Sequence, residues 1–189
     1  MIQDLFKTPV YKTTLSLDKK TLTSYCLSMA KKDKGRIVSN EGGWQSNDLK
    51  NNHSILNDLI FLIQEHCSLY TKELDIKSFN KVNNIWININ GYKDYNQIHC
   101  HPKSLISGVY YVQTPEDCGN IYFQHPSYNN FQYDWKAEKT NNFNSYNSVE
   151  WWMPSSAGLL YLFPSWLNHC VKPNLNKKEK RISISFNLL

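Results

Sequence analysis

Apolar residues change their spacing once along this chain. From about Ser54 to Leu74 they fall three or four positions apart, at Leu56, Leu59, Ile60, Ile63, Cys67, Tyr70 and Leu74, the period of one helix face. A shorter run before it, Leu22, Cys26, Met29 and Ala30, predicts a first helix capped by Ser16 or Asp18 and stopped at Lys34-Gly35. From Val82 the period drops to two. Ile85, Ile87 and Ile89 alternate with Trp86, Asn88 and Asn90, so one strand carries an apolar face and a face that lines something wet.

The alternation continues to the C-terminus. Strands are expected over Leu105–Gln113, Asn120–Gln124, Leu159–Phe163, Asn168–Val171 and a last run in which Arg181, Ser183, Ser185 and Asn187 oppose Ile182, Ile184, Phe186 and Leu188. Gly108 within the second strand predicts a close approach to its backbone. Leu5–Leu15 reads as an edge strand around Pro9, and Ser39–Asp48 as polar and irregular. Residues 127–147, rich in Asn, Tyr and Ser, show no period and are expected to be a loop of the lid or binding kind. Seven or eight strands after two helices predict a mainly β domain with flanking α, a sandwich or barrel with both N-terminal helices packed on one sheet. A single domain is expected over 1–189, with helical and edge-strand support in 1–80 and the β core in 82–189.

Composition changes this picture little. Six Trp and twelve Tyr suit β packing, and the net charge of +5 is scattered apart from Lys177-Lys-Glu-Lys-Arg181, so neither nucleic acid nor membrane is the indicated partner. There is no basic start followed by an apolar run, and five cysteines without a CxxC pair predict reduced thiols in the cytoplasm. A homodimer is compatible with the chain.

The chemistry concentrates in Gln97-Ile-His-Cys-His-Pro102. In an extended segment His99 and His101 share a face, so both imidazoles can bind one metal ion, and His169 is a third candidate. Imidazole suits Fe, Zn, Cu or Ni, and three ligands leave positions open for catalysis. Arg181 offers a fork that fits a carboxylate bidentately, with Ser183 facing the same way. His125 is a weaker ligand candidate. His66 reads as a packed helix residue, His53 as an exposed residue before a helix, and Cys100 and Cys170 as small side chains pointing away from the ligands.

Several segments together resemble a known family: Leu5-Phe-Lys-Thr-Pro-Val10, Gly42-Gly-Trp-Gln-Ser-Asn47, His99-Cys-His-Pro102, Ser107-Gly-Val-Tyr-Tyr111, Gly119-Asn-Ile-Tyr-Phe123, Gly158 through Pro164-Ser-Trp-Leu-Asn-His169, and Arg181-Ile-Ser-Ile-Ser-Phe-Asn187. The chain is similar to the 2-oxoglutarate and Fe(II)-dependent oxygenases, in particular the small "putative 2OG-Fe(II) oxygenase" group common in marine bacteria and their phages. The resemblance implies a double-stranded β-helix, or jelly roll, with Fe(II) as metal and 2-oxoglutarate as cosubstrate. It implies hydroxylation of a substrate C–H bond with decarboxylation of 2-oxoglutarate to succinate.

By position, His99 matches the first ligand, His101 the usual carboxylate, His169 the distal ligand and Arg181 the cosubstrate clamp. Ser183, Tyr110 and Asn88 are expected beside Arg181 in the cosubstrate site. Trp86, Asn88, Asn90, Tyr128, Asn129, Tyr133 and Tyr146 are the expected substrate contacts. The familiar pattern has an acid where this chain has His101. A three-His centre, a carboxylate from Asp94, or His101 outside the coordination sphere each account for that. Two other readings stay open, a cupin-like three-His enzyme that ignores 2-oxoglutarate and a non-catalytic jelly-roll carbohydrate-binding module. The substrate, a small molecule or a side chain, is not legible.

Overall fold

In a computed structural model the described residues are 1–49, 54–77, 80–134 and 137–189; His53 lies outside them. The chain runs β1 (Tyr11–Thr14), α1 (Lys19–Lys32), β2 (Asn40–Glu41), β3 (Trp44–Gln45) and α2 (Asn57–Glu73). It continues through β4 (Val82–Asn90), β5 (Tyr95–His99), β6 (Ile106–Gln113), β7 (Ile121–Gln124), α3 (Tyr128–Asp134) and β8 (Glu150–Met153). Last come β9 (Leu159–Pro164), β10 (His169–Val171) and β11 (Arg181–Leu188). No helix among the described residues is long and apolar enough to cross a membrane.

Helix α1 begins where a side chain satisfies free N–H groups, whereas α2 follows Leu56 without a side-chain cap among the described residues. Asp18 accepts from the backbone of Lys20 and Thr21 at 3.1 Å each, and Lys31 and Lys32 sit favourably at the negative end of α1. Two segments differ from the sequence expectation. Ser39–Asp48 forms two short strands instead of an irregular stretch. Residues 127–147 contain α3 and a short 3₁₀ turn at Ala137–Lys139, elements too brief to show a period.

The strands form two antiparallel sheets. One has the order β1-β9-β6-β11-β4-β3 and the other β2-β5-β10-β7-β8. The first sheet is covered on both faces. Its outer face shares one apolar cluster with the helices, where Leu22, Cys26, Leu59 and Ile63 meet Ile85, Ile87, Ile184 and Phe186. Its inner face meets the second sheet through Val109, Tyr111, Tyr161 and Phe163 against Ile121 and Phe123. Double coverage explains why β6 and β11 are buried almost throughout.

It also inverts the ordinary meaning of alternation. Asn88, Asn90, Arg181 and Ser183 are the polar members of alternating strands, and all are buried. β4 and β11 pair so that Asn90 lies opposite Arg181 and Asn88 opposite Ser183. The polar faces of both strands therefore point between the sheets.

Gly108 marks the tightest approach in this core. A Cβ there would lie 2.4 Å from the Phe186 ring and 2.6 Å from the Tyr161 carbonyl oxygen. Gly108→Ala is therefore expected to destabilise the protein by about 1–3 kcal/mol, read as a fall of several degrees in thermal midpoint. An unchanged midpoint would mean that the strands part without cost.

Candidate metal centre

His99 ends β5 and His169 begins β10, and the two are direct partners across these strands. The third imidazole arrives differently from the expected strand alternation. His101 lies beyond the end of β5, and its backbone N–H donates to the Ser165 carbonyl at 2.8 Å. This anchors the turn after β5 to the turn before β10. The Trp86 ring from the facing sheet packs on His101 with centroids 5.6 Å apart.

The three rings converge. One nitrogen from each lies within 4.8 Å of the other two, and the Nε2 atoms of His101 and His169 are 3.3 Å apart. Two nitrogens each about 2.0–2.1 Å from a shared ion sit roughly 3.0–3.4 Å from one another. The far sides of two rings are already committed. Nδ1 of His99 donates to the Gln97 carbonyl at 2.7 Å, and Nδ1 of His169 to that of Leu167 at 2.9 Å. Such bonds fix the tautomer that leaves the Nε2 lone pair free for a metal.

Burial keeps all three rings neutral. It lowers His99, pushes His101 down to about 4 with His99 adding to the shift, and holds His169 well below the usual histidine range. A neutral imidazole is the ligand form, so the residues present fit a divalent ion.

Asp94 is placed elsewhere. Its carboxylate accepts from the Gly91 N–H at 2.6 Å and sits against Gly42 and Gly43, closing a turn. It is not part of the imidazole cluster. His125 also stands apart. Its Nδ1 accepts from the Ser127 N–H, and its ring stacks on Phe131. His66 is bonded to the Tyr11 hydroxyl at 2.8 Å. Cys100 and Cys170 are free and half-buried.

Arg181 is the largest fully buried side chain among the described residues, at 1% exposure. Its Nη1 donates to the carbonyls of Cys118 and Lys172, whereas Nη2 has no partner among the described residues. Burial of an unpaired cation is costly, and a carboxylate would satisfy the open nitrogen. Tyr110 does not share this region. It lies in the outer core with Ile85 and Ile184, because strand alternation sends it to the helix side of β6. Its neighbour Tyr111 is on the inner face, in register with Ser183, and its phenol is close enough to influence Arg181. Strand parity within Ser107-Gly-Val-Tyr-Tyr111 distinguishes the two tyrosines.

Beside the histidines lies a cavity of about 40 Å³, lined by Trp86, Asn88, Asn96, Ser183 and Ser185 together with the three histidines and apolar residues, with Arg181 outside its lining. It has room for a few water-sized guests, so a dicarboxylate enters only as lining side chains move. The Asn88 amide donates to Ser185 at 3.0 Å, leaving its oxygen unpaired. Asn96 was missed from sequence. The β5–β10 register shifts between His99 and Asn96, so that both residues face the cavity despite being three apart. Tyr128, Asn129, Tyr133 and Tyr146 do not line it.

Two facing sheets that hold a histidine triad on one and a buried arginine on the other define a β-sandwich with a metal-type centre. A family model described as "putative 2OG-Fe(II) oxygenase" matches residues 84–187, and the chain belongs to that family. Its members are named for their cofactors, ferrous iron and 2-oxoglutarate. No curated protein matches the chain in sequence.

Similar solved structures include a Pseudomonas putida prolyl-4-hydroxylase, 13% identical over 96% of this chain and 92% of that one, with a TM-score of 0.67. A viral collagen prolyl hydroxylase from Paramecium bursaria Chlorella virus-1, in complex with 2-oxoglutarate, is 15% identical over 95% and 94%, with a TM-score of 0.60. The α-ketoglutarate-dependent epimerase SnoN of nogalamycin biosynthesis is 10% identical over 96% and 78%, with a TM-score of 0.68. At these identities the likeness is one of fold.

Two outcomes are expected. The unfolded chain protonates its histidines near 6.5, whereas the native state keeps His101 neutral to about 4. Metal-free protein therefore holds its full stability above pH 6.5 and loses it as the pH falls toward 4. Urea midpoints across that range will show the fall, and His101→Gln will make it shallower, with His99 and His169 supplying the remainder. His101→Ala is expected to weaken Fe(II) binding by at least about tenfold while Asp94→Asn leaves it unchanged, as measured by anaerobic metal titration.

Proposed function

We propose that the protein is an Fe(II)- and 2-oxoglutarate-dependent dioxygenase that hydroxylates a C–H bond of its substrate. In this reaction one atom of dioxygen enters the substrate as a hydroxyl. The other enters succinate as 2-oxoglutarate loses carbon dioxide. The observation that carries the reading is the pairing of three convergent imidazoles with a buried arginine that has an unpaired nitrogen, on facing sheets of one sandwich.

His99, His101 and His169 would hold the iron through Nε2. Bound iron supplies the redox chemistry with dioxygen that side chains lack. The chain supplies position and dryness. The carbonyls of Cys118 and Lys172 fix one side of the Arg181 fork, leaving Nη2 to donate to the distal carboxylate of 2-oxoglutarate. Ser183 and Asn88 contribute further polar groups from the same sheet face. Three neutral ligands leave the ion its full charge, which favours a chelating dianion over a neutral one. Val109, Ile121 and Phe163 exclude water around the centre. The segment from Ser127 to Asn147, with α3 in it, is the part of the chain suited to act as a lid.

Anaerobic addition of 2-oxoglutarate to the Fe(II)-loaded protein is expected to give a weak visible charge-transfer band, and oxygen then releases succinate. Arg181→Met should retain iron but lose about 100-fold in 2-oxoglutarate affinity, the scale of removing one partner of a buried charge pair. Iron binding without a band or succinate would support the cupin-like enzyme instead. Failure to bind iron would support a carbohydrate-binding module.

A further inference from the structure

One exposed tryptophan stands in line with the metal centre. The second sheet aligns four residues directly across its strands, His99 on β5, His169 on β10, Phe123 on β7 and Trp151 on β8. Residues in such a row share one sheet face. The assignment of Trp151 to the inner face has independent support, since Met153, two positions on, packs into the core between the sheets. Two strand spacings of about 4.8 Å place Trp151 roughly 10 Å from His169 along the sheet. That is the span of one ring-sized group plus the reach of the imidazole.

His169 and Phe123 in this row are buried, and His99 is half-buried. Phe123 is buried and stacks toward both Phe163 and His169. Trp151 is 44% exposed on the edge strand, so the inner face ends on an indole open at its rim. The adjacent Trp152 is 51% exposed but belongs to the outer face, opposite Tyr122, over whose ring the Lys172 ammonium sits. Two neighbouring tryptophans of similar exposure thus face opposite sides of one sheet.

Charge narrows what the indole meets. No Lys, Arg, Asp or Glu lines the cavity at the histidines, and the open nitrogen of Arg181 is assigned to the cosubstrate above. An ionised substrate group that entered this cavity beside the cosubstrate would find no charged side chain to pair with, which is costly. We infer that the substrate presents an uncharged ring, whose C–H face stacks on Trp151 while its reacting carbon reaches the histidine triad. A sugar, a side-chain ring and a nucleoside share that chemistry. This rests on the oxygenase reading of the site.

The test uses full-length protein loaded with Mn(II) and 2-oxoglutarate, and reads the paramagnetic broadening of probe proton signals, which needs no turnover. Matched probes are methyl α-D-glucopyranoside against glucuronate, N-acetyl-prolinamide against proline, and thymidine against its 5′-monophosphate. At least one neutral member is expected to broaden more than its charged partner, and the pair that responds identifies the source. Trp151→Ala should weaken that binding about fivefold or more, the scale of one lost ring contact. Trp151→Phe should restore part of it and Trp152→Ala should change nothing.

Equal broadening by charged partners, no broadening by any neutral probe, or equal effects of the two alanine variants would overturn the inference. The oxygenase reading is judged separately, by the Fe(II) and 2-oxoglutarate band of the wild-type protein. With that band present, any of these results counts against the role of Trp151 and the uncharged substrate alone.

Discussion

A guanidinium buried between two sheets, with one nitrogen bonded to backbone carbonyls and the other without a partner among the described residues, sets the terms for the rest of this fold. An isolated ion cannot be taken from water cheaply, so the polar faces of β4 and β11 are directed inward around it, with Asn90 directly opposite. The apolar faces of the same strands then need a cover, which the cluster shared with α1 and α2 provides. A sheet buried on both sides can keep a polar interior because its two faces serve different purposes. One packs helices and the other lines a cavity.

The centre itself depends on register more than on local sequence. His99 and His169 meet because β10 lies between β5 and β7 with these residues paired. A shift of one position would send one imidazole to the outer face. His101 is set by its backbone bond to Ser165 and by the Trp86 ring packed on it, and the irregularity in β5 turns Asn96 inward as well. The carbonyls of Gln97 and Leu167 then orient two of the rings. The triad is thus held by main-chain geometry, which suits a site that binds a metal without first losing protons.

Similar solved structures include both hydroxylases and an epimerase, so the sandwich by itself does not select a reaction. In this chain the charge distribution is the more informative feature. The cavity lining carries no Lys, Arg, Asp or Glu, and Trp151, in the same cross-strand row as His169, presents an exposed indole at the sheet edge. Selection for an uncharged ring follows from what buried ions cost, independently of the detailed fold of the segment between β7 and β8.

Periodicity by itself determined the two main helices, the long strands and the pairing of polar with apolar faces, because spacing of side chains is a local property of helix and strand. The chain also displayed its chemistry openly, since His99, His101 and His169 are rare residue types set in otherwise neutral segments and Arg181 opens an alternating strand at the end of a charged run. Only the tertiary structure decided which side of each strand is the inside. Alternation cannot tell a wet cavity from bulk water, and so it could not place Tyr110 in the outer core and Tyr111 beside Arg181. The same holds for Asp94, which closes a turn, and for Trp151, whose alignment with His169 comes from pairing across three strands. Those facts belong to contacts between segments far apart in the chain, and no spacing along it encodes them.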